Sequence, residues 1–256
     1  MNKFKTILGA GAIALASFSS TAADINVGGV TWDPDSTGIF TGDFISAGFF
    51  SQFFVAGSDR GSILTGDIIT DFASVIADDE LRGFGFIAAF NGLSSNDYCV
   101  TCDQLTFSFE GFTVENLAGA LDGGPEFSGG TGMLYTDTGA LPNTYAEASD
   151  GDTWLELAAV YNPVVGSTMD IVGSIIGGTG AWVYFDAVDS INSQAFSNFD
   201  TNGQAFGSDL AYSSSTSAGA AAGSADLSGD SIPEPTTIAI LGLGLLGLAG
   251  ARRKQS

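Results

Sequence analysis

Leu105-Thr106-Phe107-Ser108-Phe109-Glu110 sets a large apolar side chain at every second position and a small or charged one between. A period of two puts alternate side chains on opposite faces of an extended backbone, so the segment reads as a β-strand with one buried face. Gly111 interrupts the alternation, and Phe112 and Val114 resume it. Working outward, Phe84, Phe86 and Ala88 alternate in the same way within 83–90. Residues 48–55, 153–161 and 181–188 are further candidate strands. Asn91-Gly92, Asp122-Gly123-Gly124-Pro125, Asp150-Gly151-Asp152 and Gly177-Gly178-Thr179-Gly180 punctuate these runs. Such residues form turns because they tolerate or preset unusual backbone angles. Signals for helix are confined to 67–82, which suits one helix or a pair of strands. No fixed-period repeat is visible, which argues against a propeller or solenoid. The expectation is an all-β chain, folded as an antiparallel β-sandwich or jelly roll.

Charge is distributed unevenly. Of the 29 acidic residues, all but Glu234 lie between Asp24 and Asp230, where the only basic residues are Arg60 and Arg82. Residues 24–231 therefore carry 28 acids against two arginines, a net charge of −26. That surface repels nucleic acid, whose binding needs a cationic footprint. It attracts divalent cations and basic surfaces instead. Twenty Phe, three Trp and six Tyr supply ample apolar area for a core. From residue 213 to 231 the chain is almost wholly Ser, Ala, Gly and Thr with two aspartates, the composition of a flexible linker.

The two ends read as addressing segments. Lys3 and Lys5 precede an apolar run from Ile7 to Phe18, and small residues up to Ala23 offer a cleavage point. This is the layout of a secretory signal peptide over 1–23, to be removed by signal peptidase. At the other end stand Pro233-Glu234-Pro235, an uncharged run of 17 residues from Pro235 to Ala251, and Arg252-Arg253-Lys254. Prolines delay the start of a helix, and the run just suffices to cross a bilayer. The closing cations place its far end in the cytoplasm.

In order and spacing this tail resembles the PEP-CTERM sorting signal of Gram-negative bacteria. Pro233-Glu234-Pro235, the Leu/Gly-rich stretch from Leu241 to Gly250, and Arg252-Arg253 carry the resemblance. It implies recognition and cutting near the Pro-Glu-Pro element by an exosortase, a membrane cysteine enzyme. It also implies export, and association with exopolysaccharide or biofilm. Pro233, Glu234, Pro235, Arg252 and Arg253 would then be groups recognised in a substrate.

Candidate sites in the middle of the chain are sparse. Cys99-Val100-Thr101-Cys102 is the only cysteine pair, and outside the cytoplasm it is expected to form a small loop-locking disulfide. A thioredoxin-like redox role needs a helix after the pair, whereas a strand follows here. The chain has no histidine, which removes every mechanism in which serine or cysteine is activated by histidine. Paired-carboxylate chemistry survives that test, although no motif selects two carboxylates. Calcium is the expected small partner, with oxygen donors at Asp200 and Asn202 and at Asp150 and Asp152. A calcium ion takes six to eight oxygens, usually from several segments. Asp33-Pro34-Asp35 and Asp78-Asp79-Glu80 are further acidic clusters. Trp32, Trp154 and Trp182 invite comparison with sugar-stacking platforms, but aromatics on alternating strands belong more often to a core.

The sequence thus leads to four segments: a signal peptide (1–23), an acidic β-rich ectodomain (24–212), a linker (213–231) and a sorting signal with one transmembrane helix (232–256). The expected protein is a non-catalytic, exosortase-processed component of the cell surface or extracellular matrix. It would be held transiently in the inner membrane and would contact exopolysaccharide. The alternative is a secreted carbohydrate-active enzyme or carbohydrate-binding module working through acidic and aromatic residues.

Overall fold

In Gln104–Asn116 the side chains of Leu105, Phe107 and Phe109 enter the core, as the alternation requires. Phe112 and Val114 enter it too, although Phe112 is three positions on from Phe109, an odd step that should turn it to the other face. Gly111 resolves the mismatch. Its φ of 77° lies in the left-handed region that glycine occupies without a steric penalty. The neighbouring strand pairs Gly83 with Phe109 and Leu81 with Phe112, so one extra residue is accommodated on the Gly111 side. This is a β-bulge, and it returns the apolar face to the interior after the phase shift.

The structure, a computed structural model, describes residues 24–34, 43–58, 60, 63–121, 123–172, 180–195, 199–200, 209–214 and 225–231. Its strands in chain order are β1 (Ile25–Val27), β2 (Val30–Trp32), β3 (Asp43–Val55), β4 (Ile68–Ile69), β5 (Glu80–Phe90), β6 (Leu93–Ser94), β7 (Gln104–Asn116) and β8 (Glu126–Ser128). They continue with β9 (Thr131–Asp137), β10 (Asp152–Ala159), β11 (Met169–Val172), β12 (Gly180–Ala187), β13 (Phe199–Asp200), β14 (Asp209–Ser214) and β15 (Ala225–Ser231). Two four-residue helices, Ser95–Tyr98 and Tyr145–Ala148, sit between strands. In the 67–82 region there is neither a long helix nor a full strand pair. It holds β4, a 3-10 turn at Phe72–Ser74 and the start of β5.

The principal strands pair antiparallel in the order β3, β5, β7, β9, β10, β12, β14, β15, and β15 then pairs with β3. The pairing therefore closes on itself. Ser228 marks the seam, opposite Ala211 of β14 on one side and Phe44 of β3 on the other. A sandwich needs two separate sheets, whereas these strands form one sheet whose edges meet. Closure removes the unpaired edges that an open sheet would present. Ala225–Ser231, within the 213–231 run of linker composition, forms this closing strand. Its side chains carry little strand signal, but its backbone supplies the donors and acceptors that two open edges require.

One end of the ring is plugged by aromatics. Trp32, from the β1–β2 hairpin, meets Phe90 edge-on at 5.3 Å and Trp154 at 5.8 Å between ring centroids. The Trp154 indole N–H donates to the Val27 carbonyl at 2.9 Å, and the Tyr98 hydroxyl donates to the Ile87 carbonyl at 2.7 Å. Both polar tips are thereby satisfied inside an apolar cluster. In the interior, an apolar gap bordered by Phe107, Phe112, Met169 and Phe185 amounts to about 20 Å³, room for no more than one water.

Candidate functional site

Strand direction decides which segments share an end of the ring. Asp43, Phe90, Gln104, Asp137, Asp152, Ala187, Asp209 and Ser231 are the strand termini at the end that the tryptophans plug. Ser231 is also where the ladder stops and the Pro-Glu-Pro tail begins. The tail therefore leaves from the plugged end. The recognition residues expected in the sequence, Pro233, Glu234, Pro235, Arg252 and Arg253, lie outside the described residues, as does the 235–251 run. Among the described residues no helix is long and apolar enough to cross a membrane.

The same end carries a polar cleft of about 460 Å³. Asp137, Asp150 and Asp152 line it, together with Gly28, Thr101 and Cys102. The Asp137 carboxylate accepts a hydrogen bond from Gln104 at 3.0 Å, while Asp150 and Asp152 are exposed. The structure thus brings Asp150 and Asp152 together with Asp137, a residue the sequence did not single out. No group of three or more acidic or cysteine side chains is placed to share a metal ion among the described residues. Asp200 lies in β13 opposite Asp230, and Asn202 lies outside the described residues.

Cys99 and Cys102 are at disulfide distance, with their Cα atoms 5.0 Å apart. The Ser95–Tyr98 helix precedes them and β7 follows them, so no helix begins at the pair. The bridge closes the turn beside the cleft, where Val100 N–H donates to the Gly29 carbonyl at 2.9 Å.

The two arginines of the acidic region are both committed to internal ion pairs. Arg60 Nη1 reaches Asp79 at 3.1 Å, at the end of the ring away from the tail. The Arg82 guanidinium grips Glu80 with two bonds, Nε at 2.8 Å and Nη2 at 2.9 Å, and lies 3.9 Å from Glu110. Burial alone would raise the Glu80 carboxyl, but the hydrogen bonds from Arg82 and the Gly111 amide hold it below its ordinary value. The Asp78-Asp79-Glu80 cluster is therefore an arginine-binding element: two of its three carboxylates each hold a cation.

Near Arg82, on the outer face of the sheet, the Tyr145 hydroxyl donates to Glu110 at 2.9 Å, and Ser108 and Tyr135 hydroxyls share a bond at 3.2 Å. Burial first, and then the Glu110 carboxylate, push the Tyr145 hydroxyl up to about 12. Tyr145 also packs edge-on against Phe53 and Phe84. This covering explains why the polar positions Thr106 and Ser108 of β7 are buried on the face the alternation assigned to solvent. Thr106 meets its need by donating to the Ala148 carbonyl at 2.7 Å.

Two arrangements bear on carbohydrate chemistry. Trp32 and Trp154 are fully buried, so neither ring offers a stacking face; the Trp182 side chain lies outside the described residues. The buried carboxylates Asp43 and Asp79 do not converge. They flank the two ends of β3, a strand whose thirteen residues extend about 40 Å.

Comparison with protein families matches residues 231–254 to the PEP-CTERM protein-sorting motif. Comparisons with curated proteins and with solved structures find no match. The matched motif starts at the last residue of β15, so the sorting signal follows the ring without a spacer.

Proposed function

We propose that this chain, which carries a PEP-CTERM protein-sorting motif, is an exported structural component of the cell surface or of an extracellular polysaccharide matrix. The motif over 231–254 carries the reading, because it marks an exported chain that is held at the membrane and handed to an exosortase. The 1–23 segment serves as the signal peptide for that export. The exosortase recognises Pro233-Glu234-Pro235, with Arg252 and Arg253 as the cytoplasmic stop.

The ectodomain acts by contact rather than by catalysis. In support, the buried carboxylates Asp43 and Asp79 stand at opposite ends of a strand, and the Glu80 carboxyl is shifted down, the wrong direction for a general acid. The working surface is its negative charge. With Arg60 and Arg82 consumed internally, the remaining acids have no other basic side chain within 24–231 to pair with, and exposed ones such as Asp150 and Asp152 face cations or cationic polymer.

Mass spectrometry of the protein recovered from the native host tests the reading. The expected product begins near Asp24 and has lost the tail beyond the Pro-Glu-Pro element. Recovery of the intact 256-residue chain from the cytosol sinks it.

A further inference from the structure

We infer that β15 is a releasable seam: the ring opens at this strand before an exosortase engages the Pro-Glu-Pro element, so ring closure and sorting compete for the same stretch of chain. The inference rests on the reading above that an exosortase processes the tail.

Adjacency is the first support. Ser231, the last residue of β15, is paired opposite Phe199, and only Ile232 separates it from Pro233. An enzyme that surrounds a peptide bond needs extended chain on both sides of it, and residues bonded into a ladder cannot enter its cleft. Five steps separate Ser231 from Thr236, where the apolar run begins, so the ring stands at most about 18 Å from the membrane-embedded chain. Little slack is left for an enzyme to reach the motif past a closed ring.

The make-up of the seam is the second support. Ala225-Asp226-Leu227-Ser228-Gly229-Asp230-Ser231 contains one large apolar residue and an interior glycine, which weakens a strand. The register sets Asp230 opposite Asp200 of the two-residue strand β13. Like charges at directly opposed positions weaken an antiparallel ladder. The strand that closes the ring thus has little apolar side chain to hold it, and its release breaks the ring at a single place.

Pulse–chase of the full-length chain in its native host tests this. Inserting a spacer of about ten Gly and Ser residues between Ser231 and Ile232 frees the motif from the ladder, since each residue adds up to about 3.6 Å of reach. Conversion to the cut form is expected to accelerate at least several-fold. A cross-linked variant, Ile45→Cys with Leu227→Cys at register partners of β3 and β15, is expected to slow conversion by a similar factor. The spacer should restore the rate in that locked chain. An unchanged rate in the spacer variant overturns the seam, whether or not the cross-link forms. A third variant, Pro233→Ala with Glu234→Ala, separates the two ideas: if it is still converted, the sorting reading has failed, and if it is not, the spacer result bears on the seam alone.

Discussion

Arg60 and Asp79 form an ion pair at 3.1 Å in which the aspartate side chain is 1% exposed and the arginine 14%. The same carboxylate accepts the Ile76 amide at 2.7 Å, and the Asp79 carbonyl accepts the Val114 N–H of β7 at 2.8 Å. One acidic residue thereby ties the 56–79 connection to the ring. Breaking a buried pair by removing one partner strands a charge in low dielectric, at a cost of about 3–5 kcal/mol. Arg60→Met is expected to destabilise by that amount in urea unfolding. Adding Asp79→Asn should recover most of the loss, because the stranded charge disappears with it.

Glu80 gives a pH signature. Its folded value lies below the ordinary 4.5, so the group binds a proton less readily in the folded state than in the unfolded one. The stability it contributes is present above 4.5 and is lost as pH falls through the depressed folded value. Arg82→Met removes the largest lowering cause. The difference in unfolding free energy between the wild type and this variant should shrink below pH 4.5. A difference that stays constant down to the acid transition contradicts the assignment.

Trp32 seals the end of the ring from which the tail departs. Truncating a fully buried tryptophan leaves a cavity that its neighbours fill only in part, at about 3–5 kcal/mol. Trp32→Ala should cost this much, and Trp32→Phe distinctly less, because the edge-on contact with Phe90 survives in part. Thermal unfolding compared across the two variants is the measurement.

Salt should stabilise the protein. A region with a net charge of −26 repels itself, and at roughly 0.5 M sodium chloride the screening length falls to about 4 Å. The melting midpoint is expected to rise with salt. A chelator added at constant ionic strength separates screening from a specific calcium site such as the one expected at Asp150 and Asp152. A drop of several degrees would place a calcium site in the fold, and an unmoved midpoint assigns the salt effect to screening.

Some elements were legible because one face of a strand is wet and the other dry. β5, β7, β10 and β12 correspond to segments recognised by alternation or by short apolar runs bounded by turns. β9 escaped notice for a physical reason. Leu134 and Tyr135 are adjacent and both buried, because the segment around Tyr145 covers the outer face, so no alternation exists to be read. The cleft was half legible: Asp150 and Asp152 stood out as a turn, whereas Asp137 joins them only through the β9–β10 pairing. The Cys99–Cys102 turn was readable because the chain has no other cysteine and the two lie three positions apart.

What the sequence determined by itself was local: the period-two strands, the acidic excess, and the order of proline, apolar run and cations in the tail. Each is a property of neighbours along the chain. Closure of the ring, the assignment of Arg60 to Asp79, and the departure of the sorting motif directly from the closing strand were decided only in three dimensions. Residue 228 meets residue 44 through backbone hydrogen bonds, to which nearly any side chain is indifferent, so a run of serine, glycine and aspartate that reads as a tether becomes the strand that completes the sheet.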